Sequence, residues 1–189
     1  MITSDQEIVE RVLRGDRDSF GELVQRYQGR LFGLVLMMLR RRDAADDVAQ
    51  EAFVRAFTHL NQYDRARPFY PWLATIAVRL AQNWLRHEAR SSLRESESQR
   101  LSDELVAAPA HAQLLADERA RDVWKAVATL SSGERTAVML HYRDEMSFGE
   151  IARVLGVTTG TVKTLMFRAR RHLRERLGVA LLRDGREAR

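Results

Sequence analysis

Apolar side chains recur at three- and four-residue steps through most of this chain, and no run of β-branched and aromatic residues alternates at period two. That repeat constrains the fold most, because a helix buries a stripe of period 3.6 whereas a strand buries every second residue. Only three prolines and ten glycines interrupt 189 residues. The fold class expected is all-α.

Capping signals divide the helices. Ser4 with Glu7, Ser131 with Glu134 and Ser147 with Glu150 each have the spacing at which a serine and a glutamate reciprocally satisfy the first amides of a helix. Four helices are expected before residue 91. The first runs from Ser4 to near Gly15. The second runs from about Asp18 to Arg41, with Phe20, Leu23, Val24, Tyr27, Leu31, Leu34 and Met38 inward. The third runs from Asp43 to near Leu60. The fourth follows Pro68 and Pro71, which suit a first turn, and reaches about Arg90. Between Ser91 and His111 the apolar repeat lapses into serines and charges, which reads as a flexible linker with room for a short helix within it. Four more helices follow: one bearing Ala120, Val123, Trp124, Val127 and Leu130; one from Ser131 to about Tyr142; a short one from Ser147 that stops at Gly156; and a last from about Gly160 to Leu177. The expected boundaries are 1–91 for the first domain, 92–113 for the linker, 114–178 for the second domain and 179–189 for a frayed tail.

The last two helices and the turn between them have the layout of a helix-turn-helix. On the final helix Val162, Met166, Ala169, Leu173 and Leu177 form one inward stripe. Thr161, Thr164, Arg168 and Arg171 fall opposite, flanked by Lys163, Phe167, Arg170 and Arg174. No acidic residue occurs between Thr158 and Arg174, whereas a merely solvated helix usually mixes both signs. Such a face suits DNA: early residues reach base edges, and arginines grip phosphates. The net charge of +5 is in keeping with an anionic partner. A helix-turn-helix alone leaves open a repressor, a response regulator or a polymerase specificity subunit.

In the fourth helix, Phe69, Leu73, Ile76, Leu80 and Trp84 read as core. Trp72, Arg79, Asn83, Arg86 and Arg90 form a second stripe roughly a quarter-turn away. A ring with arginines beside it suits unpaired DNA, where bases stack and the backbone is followed by charge; Trp72 packed on a neighbouring helix is the equal alternative. The third helix gathers Asp43, Asp46, Asp47, Gln50 and Glu51 in its first half. A helix dipole accounts for acids in one turn, and the longer cluster reads as a protein-binding face.

Enzyme chemistry finds no footing. The five histidines (His59, His87, His111, His141 and His172) lack metal-ligand spacing, and no glycine-rich phosphate loop or nucleophile elbow is present. No catalytic residue, metal or cofactor is expected. With no cysteine there is no disulfide or thiolate site. The N-terminus lacks a signal-peptide pattern and the longest apolar stretch, near Leu31 to Leu39, is too short to span a bilayer, so a cytoplasmic protein without membrane insertion is expected.

The run Arg42-Asp-Ala-Ala-Asp-Asp-Val-Ala-Gln-Glu-Ala-Phe-Val-Arg-Ala-Phe57 resembles region 2.2 of bacterial extracytoplasmic-function (ECF) sigma factors. Pro68-Phe-Tyr-Pro-Trp-Leu-Ala-Thr-Ile-Ala-Val-Arg79 with Leu80-Ala-Gln-Asn-Trp-Leu-Arg-His87 resembles their regions 2.3 and 2.4. Leu130-Ser-Ser-Gly-Glu-Arg135, Ser147-Phe-Gly-Glu-Ile-Ala-Arg-Val-Leu-Gly156, Gly160-Thr-Val-Lys-Thr164 and Arg168-Ala-Arg170 resemble region 4. The resemblance implies two small helical domains, region 2 and region 4, and a subunit that directs core RNA polymerase to promoters and helps melt them. It implies that Asp46, Asp47, Gln50, Glu51 and Phe53 bind the β′ clamp helices. It implies that Tyr63, Asp64, Arg65, Arg67, Trp72, Arg79, Asn83 and Arg86 hold a flipped base of the −10 element. Thr159, Thr161, Lys163, Thr164, Phe167, Arg168, Arg170 and Arg171 would meet the −35 major groove, with region 4 docked on the β flap, and the linker would run toward the RNA exit channel. An anti-sigma factor is the partner implied for regulation. Three positions depart from the family pattern: Leu165 replaces a common basic residue, Thr164 a serine, and Arg79 an asparagine. Two other readings stand beside it: a sigma-like decoy for an anti-sigma factor, which has no need of a basic recognition helix, and an ordinary helix-turn-helix regulator, which leaves the first ninety or so residues unexplained.

Overall fold

The computed structural model describes the backbone of residues 3–95 and 118–177, and the side chains of 3–90 and 123–177. The chain divides into two compact units. Among the described residues every regular element is helical, and no helix is long and apolar enough to cross a membrane.

Unit 1 contains α1 (Asp5–Leu13), a 3-10 turn (Arg17–Ser19), α2 (Phe20–Leu39), α3 (Arg42–Thr58), a second 3-10 turn (Leu60–Gln62) and α4 (Phe69–Glu95). α1 starts with the expected capping box, Ser4 Oγ accepting from Glu7 N–H while the Glu7 carboxylate accepts from Ser4 N–H. α2, α3 and α4 pack mutually, with α1 against α2. From Leu34 to Leu39 every residue of α2 is buried, so the helix end is enclosed on all sides. α3 buries Ala44, Ala45, Val48, Ala49, Ala52, Phe53 and Ala56. Its small inward residues let neighbouring axes approach closely. α2 ends at Arg40, held in the left-handed region at φ 60°.

Two expectations for α4 change. Its buried stripe is Phe69, Tyr70, Leu73, Ala74, Ala77, Val78 and Ala81, whereas Ile76, Leu80 and Trp84 are only half-buried. The true core line is therefore rotated from the expected one, and the basic stripe lies about half a turn from the core rather than a quarter. α4 also continues through Glu95, so residues 92–95 of the expected linker are helix. The remainder of the linker expectation and the tail at 179–189 lie outside the described residues.

Unit 2 contains α5 (Glu118–Ala128), α6 (Ser132–Val138), a π-helical turn (Met139–Arg143), α7 (Phe148–Leu155) and α8 (Thr159–Leu177). The capping boxes at Ser131 and Ser147 both form. The Glu150 carboxyl is held below its ordinary range, chiefly by the Ser147 hydroxyl. α7 ends at Gly156 with φ 68°, a conformation glycine adopts without steric cost. Thr158 then opens α8 by accepting from Thr161 N–H at 3.1 Å. The core is built from Val127, Leu130, Leu140, Met146, Ile151, Val162, Met166, Ala169 and Leu173. Buried Arg135 donates to the carbonyls of Ala128 (2.9 Å) and Leu130 (3.3 Å), satisfying acceptors left open where α5 ends. Leu165 lies over the start of α6: a Cβ placed on Gly133 would sit 3.4 Å from its Cδ2. This packing accounts for an apolar residue at position 165.

Candidate nucleic-acid interface

α8 separates its faces cleanly. Val162, Met166, Ala169 and Leu173 are buried, while Thr159, Thr161, Lys163, Thr164, Phe167, Arg168 and Arg171 are exposed and Arg170 is half-buried. Phe167 stands in the middle of that outward face with 68% of its surface open. The threonine hydroxyls are engaged locally: Thr161 Oγ1 lies 3.0 Å from Thr158 Oγ1, and Thr164 Oγ1 donates to the Gly160 carbonyl at 3.1 Å. Arg171 is 3.9 Å from Glu175, too long and too exposed to hold it. Lys163 and Arg168 have no ion pair among the described residues. Such a surface offers mobile cations to a polyanion.

The candidate −10 surface of unit 1 is built differently. Tyr63 is buried, and its hydroxyl donates to the Arg67 carbonyl, closing the loop across its base. Burial, with Asp5 and Asp64 nearby, pushes that phenol up to about 12. Tyr63 therefore anchors the loop from beneath and offers little surface to a base, a correction to its expected role in direct contact. Its ring packs 5.4 Å from Phe69 and 5.3 Å from Trp72, and Tyr27 lies 5.4 Å from Tyr70, whose other neighbour is the Arg30 guanidinium at 3.8 Å. Trp72 is half-buried within this cluster. Asp5 of α1 accepts from both Arg26 and Tyr27, tying α1 to the same aromatics.

Above the anchor, Asp64, Arg65 and Arg67 are exposed. Asp64 accepts from Ala66 N–H at 3.0 Å and pairs with Arg67 at 3.0 Å; Arg65 lies 3.7 Å from Glu10. Along α4, Arg79, Asn83, Arg86 and Arg90 are exposed, with Arg86 donating to the Asn83 side-chain oxygen.

On α3, Asp46, Asp47, Gln50 and Glu51 are exposed, and Glu51 pairs with Arg55 at 2.7 Å. Phe53 is 8% exposed and belongs to the core. That corrects its place on the expected partner-binding face, because α3 turns it inward with Ala49, Ala52 and Ala56. The residue that shares the outward line of Asp47 and Gln50 is Val54, 59% exposed, with Phe57 (37%) beyond it against Phe20. Its spacing, one turn beyond Gln50 and two beyond Asp47, was the available signal for Val54. Among the described residues no group of side chains could hold a metal ion.

Family models place this architecture among known proteins: the Sigma-70 region 2 model matches residues 23–91, and the Sigma-70, region 4 model matches 120–173. The ECF RNA polymerase sigma-E factor of Haemophilus influenzae is 32% identical over 182 residues, covering 92% of this chain and 95% of that protein. The RNA polymerase sigma-H factor of Pseudomonas aeruginosa is 35% identical over 176 residues, 88% of this chain and 90% of its own length. The fold is shared with the sigma factor RpoE of Bartonella quintana, solved in complex with the anti-sigma factor NepR, at a TM-score of 0.72 and 22% identity over 85% of this chain and 98% of that one. The chain belongs to the extracytoplasmic-function group of the sigma-70 family, and its function is that of an RNA polymerase sigma factor in transcription initiation.

Proposed function

We propose that the three surfaces divide the work of initiation, with the chemistry left to the polymerase. The exposed face of α3, with the acids Asp46, Asp47 and Glu51 and the amide of Gln50, docks on the basic clamp helices of β′. The loop 63–67 with Arg79, Asn83 and Arg86 of α4 receives a flipped base of the −10 non-template strand. α8 enters the −35 major groove, where Lys163, Arg168 and Arg171 meet phosphates and the early residues meet base edges. The supporting observation is that one chain carries an acidic helix face and two basic surfaces of unlike construction, one rich in unpaired cations and one set on an aromatic platform. Extruding a base costs a few kcal/mol, which contacts from the loop and from α4 would offset. Solved relatives that pair with anti-sigma factors favour such a partner for this chain too.

In vitro transcription on fragmented bacterial DNA, with core polymerase alone and with this protein, tests the reading. Mapped transcript 5′ ends should reveal new starts that share two upstream elements. Core polymerase binding without new starts would leave a sigma-like decoy, and DNA binding without core binding would leave an ordinary regulator.

A further inference from the structure

One contact in unit 2 joins the helix-turn-helix to residues outside it. The π-helical turn at the end of α6 closes with Asp144 N–H on the Met139 carbonyl at 3.1 Å, and π-turns are frequent at functional positions. Within it His141 is fixed by its Nδ1–H, which donates to the Met146 carbonyl at 3.1 Å, and by the Phe148 ring 5.0 Å away. The Tyr142 ring stands edge-on to His141 at 4.8 Å and remains 52% exposed. Its hydroxyl accepts from Arg170 Nε of α8 at 3.2 Å, across 28 residues of sequence.

This bond fixes how Arg170 can act. With Nε engaged by Tyr142, the terminal amino groups of the guanidinium have no partner among the described residues. A phenol that accepts through its oxygen keeps its own O–H as a donor. Two donors of unlike type thus stand together on the α8 flank that also carries exposed Lys163, Phe167 and Arg174. A phosphate oxygen takes such donors well, whereas a base edge demands an arginine free to swing into the groove.

We infer that Tyr142 and Arg170 form a backbone-phosphate clamp at the edge of the recognition surface, with Tyr142 as the residue that positions Arg170. The inference rests on the reading of α8 as a promoter-binding helix. Its role is to fix register on the duplex without contributing to sequence choice.

The test uses holoenzyme formed from the full chain and core polymerase, titrated onto a promoter duplex recovered by start-site mapping, over a range of salt. Tyr142→Phe keeps the ring and removes the hydroxyl, and should weaken binding about three- to tenfold, the range of one hydrogen bond. Arg170→Ala should flatten the salt dependence by about 0.9 in log–log slope. The doubly substituted protein should lose less affinity than the two single losses combined, and all variants should keep the same −35 base preference, core binding and unfolding temperature. Wild-type affinity for Tyr142→Phe, full additivity of the two substitutions, or an altered −35 preference would each overturn the clamp. If the unsubstituted protein itself directs no starts, the promoter reading beneath the proposal has failed; if it does and Tyr142→Phe is silent, only the clamp has.

Discussion

The two basic surfaces of this protein are made in opposite ways. α8 presents cations outward from a single helix whose core stripe lies beneath them, and Lys163 and Arg168 stand without acidic partners among the described residues. The loop of unit 1 is built otherwise: Arg67 pairs with Asp64 at 3.0 Å, and the backbone is pinned from below by the Tyr63 hydroxyl. The difference follows from the proposed ligands. A duplex offers a regular line of phosphates and rewards mobile charge, whereas an extruded base needs a shaped receptor ready before it arrives. The acidic face of α3 is a third kind of surface, with the sign reversed.

Substitutions should separate the three. The largest effect on binding is expected for Asp47→Arg, which reverses charge at an exposed position. It should reduce affinity for core polymerase by about 100-fold while leaving helicity unchanged; unchanged assembly in a competition assay would remove α3 from the partner surface. Next comes Tyr63, the anchor peculiar to unit 1. Tyr63→Ala should cost about 3–5 kcal/mol of unit 1 stability in denaturant unfolding, and Tyr63→Phe, which loses only the bond to the Arg67 carbonyl, about 1 kcal/mol. Equal costs would mean that the hydroxyl, not the packed ring, carries the loop. On α8, Arg168→Ala and Arg171→Ala should each lower the salt slope of promoter binding by about one unit.

The smallest effects lie where neither surface is touched. Arg40 and Glu145 hold φ of 60° and 53°, a region that costs side-chain-bearing residues about 1–2 kcal/mol. Arg40→Gly and Glu145→Gly should each stabilise their own unit by about 0.5–1 kcal/mol, read as a rise in unfolding temperature.

What the sequence disclosed follows the same division. Capping boxes, the Gly156 stop and the α8 stripe from Val162 to Leu173 depend on neighbours within one or two turns, and each formed where the spacing placed it, whereas Leu177 at the helix end is only half-buried. The α4 register did not, because residue size misleads there: Ile76, Leu80 and Trp84 are the conspicuous apolar residues, yet Ala74, Ala77 and Ala81 are what α2 and α3 approach. The family resemblance puts Phe53 and Tyr63 on binding surfaces, but tertiary packing turns both inward. The Tyr142–Arg170 contact joins residues far apart in the chain, beyond the reach of any local pattern.

Permanganate footprinting of −10 thymines by saturating holoenzyme, on a promoter recovered by start-site mapping, tests the contrast between the two surfaces most directly. Holoenzyme carrying Arg168→Ala should need more protein to bind yet melt the DNA once bound, whereas Arg79→Ala should bind the duplex and leave the thymines unreactive. Loss of binding and melting in the same proportion for both substitutions would contradict a division of labour between α8 and the surface of unit 1.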